Sequence, residues 1–471
     1  MIKYCAEALS AGRQAFSRCL PVIAIAVLLV SCGGNAEQKQ DPNAFQVPVE
    51  YYKLPNGLKV VLSKDATAPT VCVAVYYNIG FRIEPQDRTG FAHLFEHMMF
   101  QGSENLGKNE FAKLVQQNGG IFNGSTRFDF TNYFEVMPSH KLETALWAEA
   151  DRMKGLAITQ DNLTNQQGVV KNEVKVNVLN QPYGGFPWLD MPQYANKNWY
   201  NAHNFYGDLK DLDSAKLEDV DKFFKTFYAP NNAVLAVVGD FEDADAKAWI
   251  EKYFGSLAAA QLPAKPDISE PKQEQEQIHH KKDTLAPKPA IAVAYKMPER
   301  NTPEYYAMGL IDQILVQGQD SKLVQKLTLE KGYTGNVGGG INYLGNMFNY
   351  NGPMVWMFNF TYDPKVSSDS IMNVVNTAVG ELNSVTQEDV NMAIIKLRSD
   401  LYSSLGGNGI GRADLLASFA LFDDDPSRIN TLEAEFKKVT PELIKKTVSE
   451  YLVPGNRTIL IVDPKETSKA L

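Results

Sequence analysis

Cysteine is almost missing from this 471-residue chain, which has only Cys5, Cys19, Cys32 and Cys72. Four such positions, two of them ahead of an amino-terminal apolar run, cannot build a disulfide framework, so hydrophobic cores must hold the fold. Positive charge is in deficit too: 46 Lys and Arg stand against 55 Asp and Glu, for a formal net charge of -9. That balance excludes the basic surface that a nucleic-acid partner requires. The apolar run from Leu20 to Val30 is too short to cross a bilayer. Histidine is scarce at six residues, which makes a close pair of them informative. What is present is a 44% apolar, 21% charged composition over a length that argues for two or more globular domains.

The amino terminus reads as a targeting segment. Lys3, Arg13 and Arg18 precede the apolar run, which ends in Leu29-Val30-Ser31-Cys32. This ending resembles a bacterial lipobox and implies a signal peptide over residues 1–31 with Cys32 lipidated and held at a membrane. An ordinary cleaved signal and a short uncleaved anchor are the alternatives. Residues 32–48 are small and polar and read as a tether. Cys72, inside the apolar stretch Thr70 to Tyr77, reads as a buried strand residue.

The remainder shows an internal repeat. A hairpin is expected at Asn56-Gly57, followed by a strand from Thr70 to Ile79. A helix over Leu217 to Phe227 stops at Ala229-Pro230 and gives way to a strand from Ala233. The same order returns near the carboxyl end, with a helix from Pro441 to Tyr451, a stop at Val453-Pro454 and a strand from Thr458. Residues 261–288 are rich in proline and polar groups and read as a linker. The expected domains are therefore 49–260 and 289–471, both α+β.

One segment carries chemistry: Gly90-Phe91-Ala92-His93-Leu94-Phe95-Glu96-His97-Met98-Met99-Phe100. On a helix His93 and His97 share a face and can reach one metal ion, with Glu96 beside them to hold a water. The apolar neighbours show that this helix is buried, where unpaired imidazoles and a carboxylate would be costly. The order HxxEH is the reverse of HExxH and is a known zinc-peptidase arrangement. A catalytic zinc needs a third protein ligand, and Glu173 is available in Val169-Val170-Lys171-Asn172-Glu173.

With these residues the chain resembles the M16 zinc metallopeptidases, the pitrilysin and mitochondrial-processing-peptidase family. The resemblance implies two homologous α/β-sandwich domains of the LuxS/MPP-like metallohydrolase type, with one Zn²⁺ per chain. It implies His93, His97 and Glu173 as metal ligands and Glu96 as catalytic base and acid. Taken alone, the alternation of Val174, Val176 and Val178 looks like a strand. The segment Gly119 to Thr126, with Asp129, Thr131 and Tyr133, is similar to the family's substrate-binding edge strand, implying that Asn123, Thr126 and Tyr133 contact an extended peptide. Many relatives have an acid seven residues before the ligand glutamate, where this chain has Gln166. The arginine and tyrosine with which many second domains grip substrate are matched only by Lys322 and an off-register Tyr333. This implies a partner subunit lacking HxxEH, or a homodimer. The expected function is a zinc-dependent endopeptidase on the periplasmic side of the cell envelope, with clam-like halves acting on peptides or unfolded segments. The alternative is a non-catalytic, lipid-anchored scaffold on the same fold. His140, His203, His279 and His280 lack a ligand pattern.

Overall fold

The computed structural model describes residues 46–464; the signal segment, Cys32 and most of the tether lie outside them. Gln46 to Pro48 do not behave as tether. Val47 is buried, and its backbone N–H and C=O both bond the side chain of Asn430, at 2.7 and 2.9 Å, because an apolar residue there has a core to enter.

The first sheet has six strands: β1 (Glu50–Lys53), β2 (Lys59–Lys64), β3 (Thr70–Tyr77), β4 (Ile121–Thr126), β5 (Thr131–Pro138) and β6 (Ala233–Gly239). Their spatial order is β1-β2-β6-β3-β5-β4, which leaves β4 at an edge. Asn56-Gly57 turns β1 into β2, with Gly57 at φ +90, a conformation that favours glycine. Strand β3 is apolar from Val71 onward because both of its faces are covered. Val71, Val73, Val75 and Tyr77 enter the core beneath the first domain's own helices, including Phe91–Met98 and Leu142–Lys154. Cys72, Ala74 and Tyr76 enter a second core on the opposite face. The period of two along a strand sorts them.

The second sheet repeats the pattern with β7 (Gln277–Asp283), β8 (Ala290–Lys296), β9 (Gly338–Ile341), β10 (Val355–Thr361) and β11 (Arg457–Pro464), ordered β7-β11-β8-β10-β9. The helices Leu217–Phe227 and Pro441–Tyr451 lead into the matching strands β6 and β11. The fold is thus α+β with two related domains. The expected linker 261–288 needs correction, since it contains β7, which runs parallel to β11. Its residues alternate between half-buried and exposed, as suits an edge strand, and its polar composition hid it.

The two domains do not face each other as clam halves. Helix Ile410–Phe422 of the second domain lies across β2, β3 and β6, and a single core contains side chains from both domains. A buried ion pair helps to tie them together. The Arg82 guanidinium, with no exposed side-chain surface, donates to Asp129 at 2.7 Å and to the Pro353 carbonyl at 2.9 Å. The Asn351 N–H donates to the other Asp129 oxygen at 2.7 Å. Among the described residues no helix is long and apolar enough to cross a membrane.

Candidate metal centre

Helix Phe91–Met98 begins at Gly90, whose φ of +80 and contact with the Tyr206 carbonyl leave no room for a Cβ. The helix start is fixed by Glu84, a fully buried residue whose two oxygens accept the N–H groups of Gly90 and Ala92 at 2.7 and 3.1 Å. Burial raises the Glu84 pKa, while His203 and the two N–H groups oppose the rise. His203 therefore belongs to the support of this helix, with Nε2 at 2.6 Å from the Phe81 carbonyl and 3.5 Å from Glu84.

One turn in, the His93 and His97 Nε2 atoms approach to 3.3 Å. Glu173 comes from the helix Gln160–Val174, which continues as a π-helical turn over Lys175–Leu179. The valine alternation at 174–178 is thus not a strand: Val174 is buried and Val176 exposed, as their places around a helix dictate. Glu173 Oε2 lies 3.3 Å from His97 Nε2 and 3.6 Å from His93 Nε2. Burial, then repulsion by His97, pushes His93 down to about 4, so it is neutral at pH 7. The hydrogen bond from His97 holds Glu173 below the ordinary carboxylate range.

Glu96 is nearly buried, which raises its pKa. The Thr126 hydroxyl, at the end of β4, donates to Glu96 Oε2 at 2.8 Å. Two expectations about substrate contacts are corrected here. Thr126 is only 1% exposed and is spent on Glu96 rather than turned to solvent. Tyr133 is fully buried beneath the same helix, donating to the Phe95 carbonyl at 3.1 Å, because its place on β5 faces the core. Of the three candidates only Asn123 is exposed, on the free edge of β4.

Sequence reasoning did not find Tyr206. Its hydroxyl donates to Glu173 Oε1 at 3.1 Å, leaving Oε2 towards the histidines, and its ring packs on His93 at 5.1 Å. It lies in an irregular segment with no spacing signal. Gln166 is buried and bonds Asn165. Lys322 is paired with Glu381, and Tyr333 packs against the second core.

Residues 59–198 match the family described as Insulinase (Peptidase family M16), and residues 214–397 match Peptidase M16 inactive domain. The chain belongs to the M16 peptidase family. Among M16 relatives, Zinc protease PqqE of Helicobacter pylori is 25% identical over 453 residues, covering 93% of this chain and 97% of that protein. The crystal structure of a protease from Helicobacter pylori superposes with a TM-score of 0.82 at 24% identity, covering 89% of this chain and all of that one. The periplasmic protease PqqL from Escherichia coli gives 0.69 at 16% identity, covering 89% of this chain and 48% of the longer PqqL chain.

Zinc is the metal named among these relatives, and the donor set fits it. Ligands about 2.0–2.1 Å from a tetrahedral ion stand roughly 3.4 Å from one another. Here the three separations are 3.3, 3.3 and 3.6 Å. Buried His93 Nδ1 lacks a hydrogen-bond acceptor among the described residues, so ring packing by Phe205 and Tyr206, rather than the usual second hydrogen bond, orients it.

Proposed function

We propose that this chain is a zinc-dependent endopeptidase of peptides or unfolded segments, with His93, His97 and Glu173 as metal ligands and Glu96 as general base and then acid. The observation that supports this most is the meeting of those three donors at tetrahedral spacing, although Glu173 lies 76 residues beyond His97 in sequence. Zinc bound there would lower the pKa of a water and polarise the scissile carbonyl. The chain's own groups do the rest. Glu96, its carboxylate fixed by Thr126, takes the proton and delivers it to the leaving amine. The free edge of β4, with Asn123 and the 56%-exposed Ile121, offers backbone groups to which an extended peptide adds as a strand. Val169, Val176 and Leu179, on the helix that carries Glu173 and the turn that continues it, are exposed apolar residues.

The domain limits that go with this reading are 49–260 for the metal-binding domain and, with β7 counted in its own sheet, 277–471 for its partner domain. Because these two share a core, a closed chamber would need a second subunit, either an HxxEH-lacking M16 partner or another copy of this chain. Cys32 would tether the enzyme to the periplasmic side of a membrane. The second reading, a lipid-anchored scaffold, draws on the inactive-domain match over residues 214–397. Metal analysis with a quenched-peptide panel separates the two. Chelation should abolish cleavage and zinc restore it, and Glu96→Gln should abolish cleavage while keeping the metal. Peptide cleavage that survives both treatments would overturn the assignment.

A further inference from the structure

In the second domain, helix Pro303–Leu315 follows β8 as helix Phe91–Met98 follows β3, and β9 pairs with β10 as β4 pairs with β5. Where the first domain has its histidine pair, the second has a cavity of about 520 Å³, a size that accommodates organic ligands. It opens between that helix, β9 and the helices Gln387–Leu405 and Ile410–Phe422.

The lining has two characters. Met347, Phe348, Leu397, Leu401 and Leu415 form an apolar wall. Against it stand the carboxylates of Asp312, Asp400 and Asp414; among the described residues neither lysine nor arginine lines the cavity, and the nearby Lys396 ammonium is already taken up by the Gln313 and Gln317 carbonyls and Asp320. Asp312 accepts from Trp356 at 2.7 Å and Gln317 at 3.0 Å, which oppose the burial that pushes its pKa up to about 6. Asp414 accepts from Tyr76 at 2.9 Å and from Asn346 and Asn349 at 3.0 and 3.3 Å. Asp400 is exposed, with neither a hydrogen bond nor an ion pair among the described residues. Two further lining residues, Gln313 and Asn342, are 7% and 2% exposed, and Gln313 Oε1 and Asn342 Oδ1 accept no hydrogen bond among the described residues. Buried acceptors without donors are costly, and a donor-bearing guest would satisfy them.

The first domain also touches the cavity's lining. Tyr76 of β3 reaches Asp414, and Arg127, next to Thr126, is within electrostatic reach of both Glu96 and Asp414. We propose that this cavity binds a cationic group on an apolar stem, its occupant in the working enzyme being a lysine or arginine side chain of the bound peptide. The identity of the occupant rests on the peptidase reading; the cation site does not.

Calorimetry on the purified chain with n-pentylammonium and n-butylguanidinium, against neutral 1-pentanol and anionic pentanoate, tests the site directly. Both cations should bind at least about tenfold more tightly than the other two probes. Asp400→Asn should weaken them about tenfold, and Ser404→Phe, which fills the cavity from an exposed position, should remove them. Cations that bind no better than the alcohol, or that ignore both substitutions, overturn the site. A quenched-peptide pair differing only in lysine against norleucine then tests the occupant. The lysine preference should reside in KM and fall towards one in both variants; a preference that is absent, or that survives the substitutions, overturns the peptide assignment. Cation binding in a chain that cleaves no peptide would sink the peptidase reading while supporting the site, and lysine-selective peptide binding would then be read by the same calorimetry.

Discussion

Replacing Thr126 by valine would keep the shape of a 1%-exposed side chain and remove one hydroxyl, whose donor reaches Glu96 Oε2 at 2.8 Å. A hydrogen bond to an ionised carboxylate is worth about 1.5–3 kcal/mol. Its loss falls on the charged form of Glu96, whose pKa burial already raises. At about 1.4 kcal/mol per unit, the pKa of Glu96 should climb by roughly 1–2 units. A general base works only when ionised, so the acid limb of kcat/KM should shift upward by the same amount. Below the wild-type midpoint the variant should be slower by roughly tenfold or more, and at alkaline pH the deficit should shrink to a few-fold. Quenched-peptide cleavage between pH 5 and 9 reads the shift, with zinc content measured on the same samples. An acid limb that does not move, with zinc retained, would refute the role given to Thr126.

Glu173→Gln should cut bound zinc from one per chain to a small fraction, measured by atomic emission after dialysis, because a neutral amide replaces the carboxylate 3.3 Å from His97. Tyr206→Phe removes the hydrogen bond to Glu173 Oε1 and should weaken zinc retention by about 10–100-fold in chelator competition, with smaller loss of kcat at saturating zinc. Arg82→Met strands Asp129 in the interface and should lower stability by about 3–5 kcal/mol in urea unfolding; Asp129→Asn added to it should recover part of that.

Much of the fold was legible because the repeat is written in stops. The helices Leu217–Phe227 and Pro441–Tyr451 each end just ahead of a proline, and each hands the chain to a buried strand. Strand β7 was not legible, since an edge strand with one wet face can be built from glutamine, histidine and lysine. At the site the local helix pattern placed His93 and His97 on one face, whereas Glu173 came from family resemblance, and the valine spacing around it pointed to a strand. The roles of Thr126 and Tyr133 were misread for one reason: alternate strand residues point to opposite faces, and sequence cannot say which face meets the helix. Both face it, one bonding Glu96 and the other the Phe95 carbonyl.

The support of the metal centre is wider than its ligands. Glu84 fixes the first turn of the histidine-bearing helix, Tyr133 bonds its Phe95 carbonyl, and Thr126 holds its glutamate from β4. Two of these supports lie beside the interdomain ion pair: Arg82 is two residues from Glu84, and Asp129 is three from Thr126. The second domain grips that pair through the Pro353 carbonyl and the Asn351 N–H. A displacement of the second domain therefore acts on the cap of the metal helix and on the residue that positions its glutamate. The first domain alone would keep all three proposed ligands and their direct supports yet lose the second-domain grip on the Arg82–Asp129 pair, and its second core would open to water along the face now covered by Ile410–Phe422.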